Sequence, residues 1–108
     1  MEITEKLLND LRTIALEDFK KWWGKQSSDY ITEEIAKYPE KFKFTINPKY
    51  IKIVSGGSVF GFIVNSTTDK QFKYGDLLKS AGQVPAKNFA RGSIFDLANA
   101  RIRWTGFF

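Results

Sequence analysis

The chain of 108 residues contains no cysteine and no histidine. The first absence excludes disulfides, zinc–thiolate sites and cysteine nucleophiles, and the second removes His-based triads and the commonest general base at neutral pH. Carboxylates, Lys, Tyr, Ser and Thr remain, but each needs a strongly shifted pKa or a metal ion for catalysis at neutral pH. We therefore expect a non-enzymatic protein with no catalytic residue, no metal site and no cofactor.

Phosphate-binding glycine motifs and long apolar runs are also missing. Neither GxxxxGK[ST] nor GxGxxG occurs, and the three acids of the second half of the chain are dispersed. No apolar run approaches the ~20 residues that span a bilayer, and the acidic N-terminus lacks the layout of a signal peptide. With 43% apolar residues, the chain is expected to form one intracellular domain with a single modest core.

The charges that are present are segregated along the chain. Residues 1–40 contain nine acids and six bases, a formal charge of −3, whereas residues 41–108 contain three acids and eleven bases, a formal charge of +8. The basic half is also rich in aromatic residues. Such asymmetry points to an anionic partner without identifying it.

Two helices are predicted in the acidic half. Apolar residues recur at three- and four-residue steps over residues 3–23, and Gly24 is a natural helix stop. On this periodicity Trp22 follows Phe19 into the core, while Trp23 is partly exposed or packed beneath the second helix. That helix is predicted to begin at a cap in residues 27–29 and to end at Tyr38, before Pro39.

From Lys41 onward the period of the apolar residues changes to two, which predicts strands. Residues 41–46, with Ile46 facing inward, 50–54 and 59–64 form the first three strands, and residues 55–58 form a tight reversal. Residues 72–74 are predicted as a fourth strand and residues 101–104 as a final edge strand, while residues 76–80 fit either a strand or a helical turn. The predicted fold is α+β, with two N-terminal helices on one face of an antiparallel sheet of four to five strands.

Three groups of basic residues are candidate nucleic-acid contacts. Lys41, Lys43 and Lys52 are expected on the outward face of the sheet, although lysines there commonly serve only solubility. In the loop 85–92, Lys87 and Arg91 flank Phe89, an arrangement that suits phosphate binding with base stacking. The same loop is equally compatible with a structural role, in which Phe89 fills the core and Arg91 binds carbonyl groups.

The C-terminal segment is the third group, and it also suggests a protein interface. Arg101 and Arg103 share one side of the predicted edge strand, where they suit phosphate contacts, while Trp104 is expected to complete the core. Phe107 and Phe108 have no polar cover in the sequence, so we expect them to be packed or to form a protein interface together with Trp23.

Residues 57–95 resemble a group of small uncharacterised accessory proteins of tailed bacteriophages. The resemblance rests on a strand at residues 58–63, on Gly-Asp-Leu-Leu-Lys-Ser-Ala at residues 75–81 and on Pro-Ala-Lys-x-x-Ala-Arg-Gly-x-Ile-Phe at residues 85–95. It implies an accessory protein made in the cytoplasm of an infected bacterial cell, and it favours a turn followed by a strand at residues 75–79.

These observations suggest three functions, of which the first is ranked highest. The first hypothesis is a binding module that engages nucleic acid through the basic sheet face and the loop 85–92. The alternatives are a host-directed or anti-defence inhibitor that acts by protein–protein interaction, and a minor virion component. A homo-oligomer is compatible with each of them, and a membrane partner is not expected.

Overall fold

The computed structural model describes residues 1–23 and 29–108. It confirms the α+β class, because two helices precede a four-stranded antiparallel sheet in which neighbours in sequence are neighbours in space. The elements are α1 (Glu5–Trp23), α2 (Asp29–Lys41), β1 (Phe42–Ile46), β2 (Tyr50–Ser55), β3 (Ser58–Val64) and β4 (Leu77–Leu78). The predicted stop at Gly24 and the first two residues of the predicted cap lie outside the described residues. No helix among the described residues is long and apolar enough to cross a membrane.

Short elements follow the sheet. Two small antiparallel hairpins are formed by β5 (Ser80–Ala81) with β6 (Val84–Pro85) and by β7 (Ile102–Arg103) with β8 (Gly106–Phe107). A single 3₁₀ turn, Leu97–Asn99, lies between them. The C-terminal hairpin is therefore not an edge strand of the main sheet, as predicted for residues 101–104, but packs on it as a separate unit.

The main core lies between the helices and one face of the sheet. Helix α1 buries Leu8, Leu11, Ala15 and Phe19, which are three or four residues apart and therefore share one side of the helix. These side chains form one cluster with residues that alternate along the strands, among them Ile51, Ile53 and Ile63. Hydrophobic burial on this face explains why both helices lie on the same side of the sheet.

The C-terminal hairpin fits this core through a glycine. A side chain at Gly61 would put its Cβ 2.4 Å from the ring of Phe107, so the missing side chain is what admits the ring. Phe107 is buried there and meets Phe60 edge-to-face, with 5.1 Å between the ring centroids. The hairpin is also tied to α1, because the backbone N–H of Trp104 donates to Asp18 Oδ2 at 2.9 Å.

The opposite face of the sheet has a second, smaller apolar cluster. Because side chains alternate along a strand, Phe62 and Val64 of β3 point away from the helices. Phe72 and Leu78 complete the buried part of this cluster, and Ala90 packs against it. Loops, rather than helices, therefore cover this side of the sheet.

Helix α2 extends past its predicted end. Pro39 lies inside the helix, which continues to Lys41, so the prediction that the helix stops at Tyr38 was wrong. Proline disfavours a helical residue before it and lacks the N–H that the helix uses, and the tertiary packing of this last turn overcomes that local cost. Tyr38 is held in place by stacking on Phe19, with 4.8 Å between ring centroids, and by a 2.9 Å hydrogen bond from its hydroxyl to the carbonyl of Trp104.

The fourth strand lies later in the chain than predicted. Residues 72–74 form bends and a turn, and Leu77–Leu78 pairs with β3, so the ambiguous segment 76–80 is extended rather than helical. Asp69 sets the bend, because its Oδ1 accepts the N–H groups of Gln71 and Phe72 at 2.8 and 2.9 Å. Asp76 closes the turn that follows: its N–H donates to the carbonyl of Lys73 at 3.0 Å and its Oδ2 accepts the N–H of Lys73 at 2.9 Å. Ile46 faces the same side as Phe42 and Phe44, as predicted, but it is exposed because it lies at the end of the edge strand β1, beyond the core.

The structure contradicts the prediction for Trp22 of α1, which was expected in the core, and agrees with the prediction that Trp23 is partly exposed or packed near α2. Trp22 is 65% exposed, whereas Trp23 is half-buried against the core and meets Trp104 edge-to-face, with 6.2 Å between ring centroids. The helix turns about 100° per residue, so only one of two adjacent side chains faces the core. Trp23 lies four residues after Phe19 and contacts its ring, with centroids 6.3 Å apart, so these two residues continue the buried stripe.

This facing predicts unequal costs of truncation. Trp23→Ala is expected to lower the free energy of unfolding by about 2–4 kcal/mol because it leaves a cavity beside Phe19 and Trp104. Trp22→Ala is expected to change it by less than about 0.5 kcal/mol. Urea unfolding followed by far-UV circular dichroism measures both, and a larger loss for Trp22→Ala would contradict the observed facing.

Candidate nucleic-acid interface

Two of the predicted lysines share the sheet face that is turned away from the helices. Lys43 pairs with Val54, and Lys52 pairs with Thr45, so the two lysines are diagonal neighbours on adjacent strands. Diagonal neighbours on one face lie ~7–8 Å apart, close enough for their charges to act on one anionic ligand. Lys52 Nζ donates to Gln83 Oε1 at 2.9 Å, which shows that the β5–β6 hairpin extends toward the same face.

Lys41 does not belong to this row. It is the last residue of α2 rather than the first of β1, because the helix continues through Pro39. Its ammonium group lies 3.5 Å from Glu34 Oε2 on the same helix. Lys41 is therefore not on the sheet face, where the sequence predicted it, and its charge is paired with Glu34.

Backbone hydrogen bonds fix the end of the loop 85–92 beside the edge strand β4. Arg91 N donates to the carbonyl of Leu77 at 2.7 Å, and Leu77 N donates to the carbonyl of Gly92 at 2.9 Å. The side-chain amide of Gln71 donates to the carbonyl of Lys87. Because Ala90 packs against the second apolar cluster, the loop brings the exposed Lys87 to the side of the sheet that carries Lys43 and Lys52.

Arg91 lies inside this loop instead of at its surface. The residue is only 6% exposed, and its Nη1 donates to Asn88 Oδ1 at 2.8 Å and to the carbonyl of Phe89. Its guanidinium carbon lies 3.8 Å from the centroid of the Phe89 ring. In this state the guanidinium organises the loop, as one of the two sequence interpretations expected, and it is not presented to a phosphate in solution.

The side chain of Phe89, unlike that of Arg91, is open to solvent. It is 49% exposed, so it does not fill the core, as the structural interpretation of the loop expected. The loop thus combines a buried cation with a surface ring, which is the opposite of what charge and polarity alone suggest.

Lys49 joins the set, although the sequence interpretation used it only as part of a turn. Its ammonium group lies 5.5 Å from the centroid of the Tyr50 ring, and Tyr50 packs on the second apolar cluster. Backbone hydrogen bonds from Phe72 and Gln71, together with the charges of Lys49 and Lys87, hold the pKa of Asp69 below its ordinary value. The sequence did contain a signal for Lys49, because this base lies in the short connection between the paired strands β1 and β2. We name this surface the basic face; it comprises Lys43, Lys49, Lys52, Lys87 and Phe89.

The acids of the basic half do not pair with these lysines. Asp69 accepts two backbone N–H groups, Asp76 Oδ2 accepts the N–H of Lys73 at 2.9 Å, and both oxygens of Asp96 accept from the Asn99 amide. Within residues 1–23 and 29–108, every ion pair involves residues of the helices, and no base beyond Lys41 takes part in one. The basic face is therefore uncompensated by direct ion pairs among the described residues.

Arg101 and Arg103 lie on a different part of the surface. They belong to the C-terminal hairpin, which packs on the helix-covered side of the sheet through Phe107 and Gly61. Both side chains are exposed and lie over the ring of Phe108, with guanidinium carbons 5.2 and 4.2 Å from its centroid. These arginines are therefore not on the outward face of the sheet, although the backbone N–H of Arg101 donates to the carbonyl of Arg91 at 2.8 Å and so adjoins the loop 85–92.

The three residues expected to form a protein interface are not exposed together. Trp23 packs against Phe19 and Trp104, and Phe107 is buried beside Phe60. Only Phe108 is markedly open to solvent, at 37% exposure. The hydrophobic patch that the sequence suggested is therefore mostly part of the core.

A groove opens beside the helices, on the side remote from the basic face. Its volume is about 380 Å³, and its lining includes Phe19, Glu34, Tyr38 and Trp104. The pKa of Tyr38 is raised from 10.0 to about 12, mainly by burial. A hydrogen bond with Ser55 lowers the pKa and the Asp18 carboxylate raises it, and the value of about 12 includes both effects. Tyr38 therefore stays protonated at neutral pH and serves to hold Trp104.

Comparison with family models, with curated proteins and with solved structures found no match for this chain. Among the described residues there is no group of three or more acids placed to hold a metal ion.

Arg91 is expected to matter for stability and Lys87 is not. Arg91→Ala should lower the free energy of unfolding by about 2–4 kcal/mol, because it removes a buried cation together with its hydrogen bonds and its contact with Phe89. Lys87→Ala serves as the control and should change it by less than about 0.5 kcal/mol. Urea unfolding monitored by tryptophan fluorescence measures both; equal effects would show that Arg91 is not anchored as described.

The raised pKa of Tyr38 predicts a pH-dependent loss of stability. Because the unfolded side chain ionises near its ordinary pKa of 10.0 and the folded one near 12, this residue stabilises the fold fully below pH 10 and loses that effect as the pH rises through 12. Absorbance at 295 nm should show a late phenol ionisation that Tyr38→Phe removes. If the late component persists in Tyr38→Phe, it belongs to another tyrosine.

Proposed function

We propose that this protein is a non-enzymatic module that binds nucleic acid through the basic face. The observation that carries the proposal is the grouping of Lys43, Lys49, Lys52 and Lys87 around the sheet surface turned away from the helices, without ion pairs to described acids. Lysines placed in this way attract phosphates and release the counterions condensed on a nucleic acid.

The charges of the other residues favour one orientation of the protein toward a nucleic acid. The formal −3 of residues 1–40 belongs mostly to the helices, which cover the opposite side of the sheet. A polyanion is repelled from that side and attracted to the basic face, so the protein presents one orientation to its ligand.

The buried loop anchor supports the same assignment. Since Arg91 fixes the loop from inside, Lys87 and Phe89 are presented from a fixed backbone rather than from a mobile segment. A preorganised contact loses less conformational entropy when the ligand binds. We assign Arg101 and Arg103, which are exposed on the C-terminal hairpin and lie over Phe108, to secondary phosphate contacts only.

The proposed setting is the cytoplasm of a bacterial cell infected by a tailed phage. The resemblance of residues 57–95 to phage accessory proteins supports this setting. A role as an inhibitor of a host protein is less well supported, because two of its three expected interface residues are not free: Phe107 is buried and Trp23 is half-buried against the core.

A charge-neutralising variant tests the proposal. The triple substitution Lys43→Gln, Lys52→Gln and Lys87→Gln should weaken oligonucleotide binding by about 10- to 100-fold at ~50 mM salt. It should also reduce the slope of log K against log salt concentration by about 2 for a single strand, since three phosphate contacts are removed. Fluorescence anisotropy over a series of salt concentrations measures both quantities.

The matched control removes the same charge from the helices. Lys6→Gln, Lys21→Gln and Lys37→Gln change three exposed lysines on α1 and α2 and leave the basic face intact. The control variant should bind as the unmodified protein does. Equal weakening by both triple variants would mean that net charge, and not the basic face, governs binding; the absence of any binding at ~50 mM salt would refute the proposed function.

A further inference from the structure

Phe89 is a large apolar side chain left open on a charged surface. It is 49% exposed and belongs to the basic face, where exposed Lys87 is two residues away in the same loop. The loop has other apolar residues that do pack, since Ala90 lies against the second apolar cluster. The exposure of Phe89 is therefore specific to this side chain.

One side of the Phe89 ring is already occupied. The guanidinium carbon of Arg91 lies 3.8 Å from the ring centroid, which is the separation of a stacked contact. Because Arg91 itself is only 6% exposed, it lies on the inner side of the ring, and the solvent exposure of Phe89 belongs to the outer side. The ring is a platform with one free face.

The platform is held rigidly. Arg91 is bound to Asn88 Oδ1 and to the carbonyl of Phe89, and its backbone is bound to Leu77 and to Arg101. A flat ring held in place beside cations is the combination with which proteins bind unpaired nucleotides, because the ring stacks on a base and the cations neutralise phosphates. Every base has a π face, so this contact requires no particular sequence.

We infer that the ligand is single-stranded nucleic acid, one base of which stacks on the free face of Phe89. The inference rests on the proposed function and names its substrate class. Bases inside a duplex are stacked on their neighbours and offer no free face to a side chain, whereas the bases of a single strand do. Lys87, two residues away in the same loop, contacts a phosphate next to the stacked base, and the other lysines of the basic face neutralise phosphates further along the strand.

A purely structural role for Phe89 makes a different prediction. If the ring serves only to cover Arg91, an apolar side chain without a ring covers it equally well, and nucleic-acid binding is unchanged. If the cover is lost, the exposed guanidinium adds a cation to the basic face, and binding becomes tighter. Phe89→Leu separates the two roles because it keeps apolar cover and removes the π face. Phe89→Tyr keeps the ring and serves as the rescue variant.

The test compares three labelled probes by fluorescence anisotropy at ~50 mM salt: an oligothymidylate of about 12 nucleotides, an abasic strand of the same length, and a duplex of the same length. We expect oligothymidylate to bind more tightly than the other two. Phe89→Leu should weaken the binding of oligothymidylate by about 5- to 150-fold, which is the effect of losing one stacked base. It should leave the affinity for the abasic strand unchanged. Phe89→Tyr should retain tight binding.

Trp22→Leu is the control for losing an exposed aromatic side chain, because Trp22 lies on α1, away from the basic face. It should bind all three probes like the unmodified protein. The inference is overturned if Phe89→Leu binds oligothymidylate normally or more tightly, if it weakens the abasic strand equally, or if the duplex binds as tightly as oligothymidylate. Failure of all three probes to bind the unmodified protein refutes the proposed function itself, a result distinguishable from these.

Discussion

The structure depends on a central strand that is apolar on both faces. Strand β3 directs Phe60 and Ile63 toward the helices and Phe62 and Val64 away from them, and all four side chains are buried. Both faces of the sheet must therefore be covered. The two helices cover one face, so the loops that follow β3 cover the other. This requirement brings Phe72 and Ala90 onto the sheet.

The loops that cover β3 also carry the candidate site. Covering the sheet anchors the loop 85–92 through Ala90 and through its backbone bonds to Leu77, which positions Lys87 and Phe89 at the surface. The burial of Arg91 follows from the same arrangement, because the guanidinium satisfies carbonyl and amide oxygens within the loop. Core packing and the presentation of the candidate site residues are thus one structural feature.

The hydrogen bonds of the acidic side chains also affect where the net positive charge of residues 41–108 lies. Asp69, Asp76 and Asp96 use their carboxylates to fix turns, which need hydrogen-bond acceptors where the backbone leaves N–H groups free. Because these acids act locally, they do not form ion pairs with the lysines of the basic face. The excess of bases in residues 41–108 becomes a localised positive surface when Lys43 and Lys52 share one side of the sheet.

The sequence by itself determined the α+β class, the first three strands and the basic character of the sheet, because these follow from local periodicity and composition. It did not determine which of Trp22 and Trp23 is buried, since both fit an amphipathic helix until a partner surface is present. Pro39 and Lys41 were misplaced because local bias at a proline is weaker than the packing of Tyr38. The tertiary structure alone decided that Arg91 is inside and Phe89 outside: the loop's backbone is held by Leu77 and Gln71, distant in sequence, and that anchoring sets which side chain faces the core.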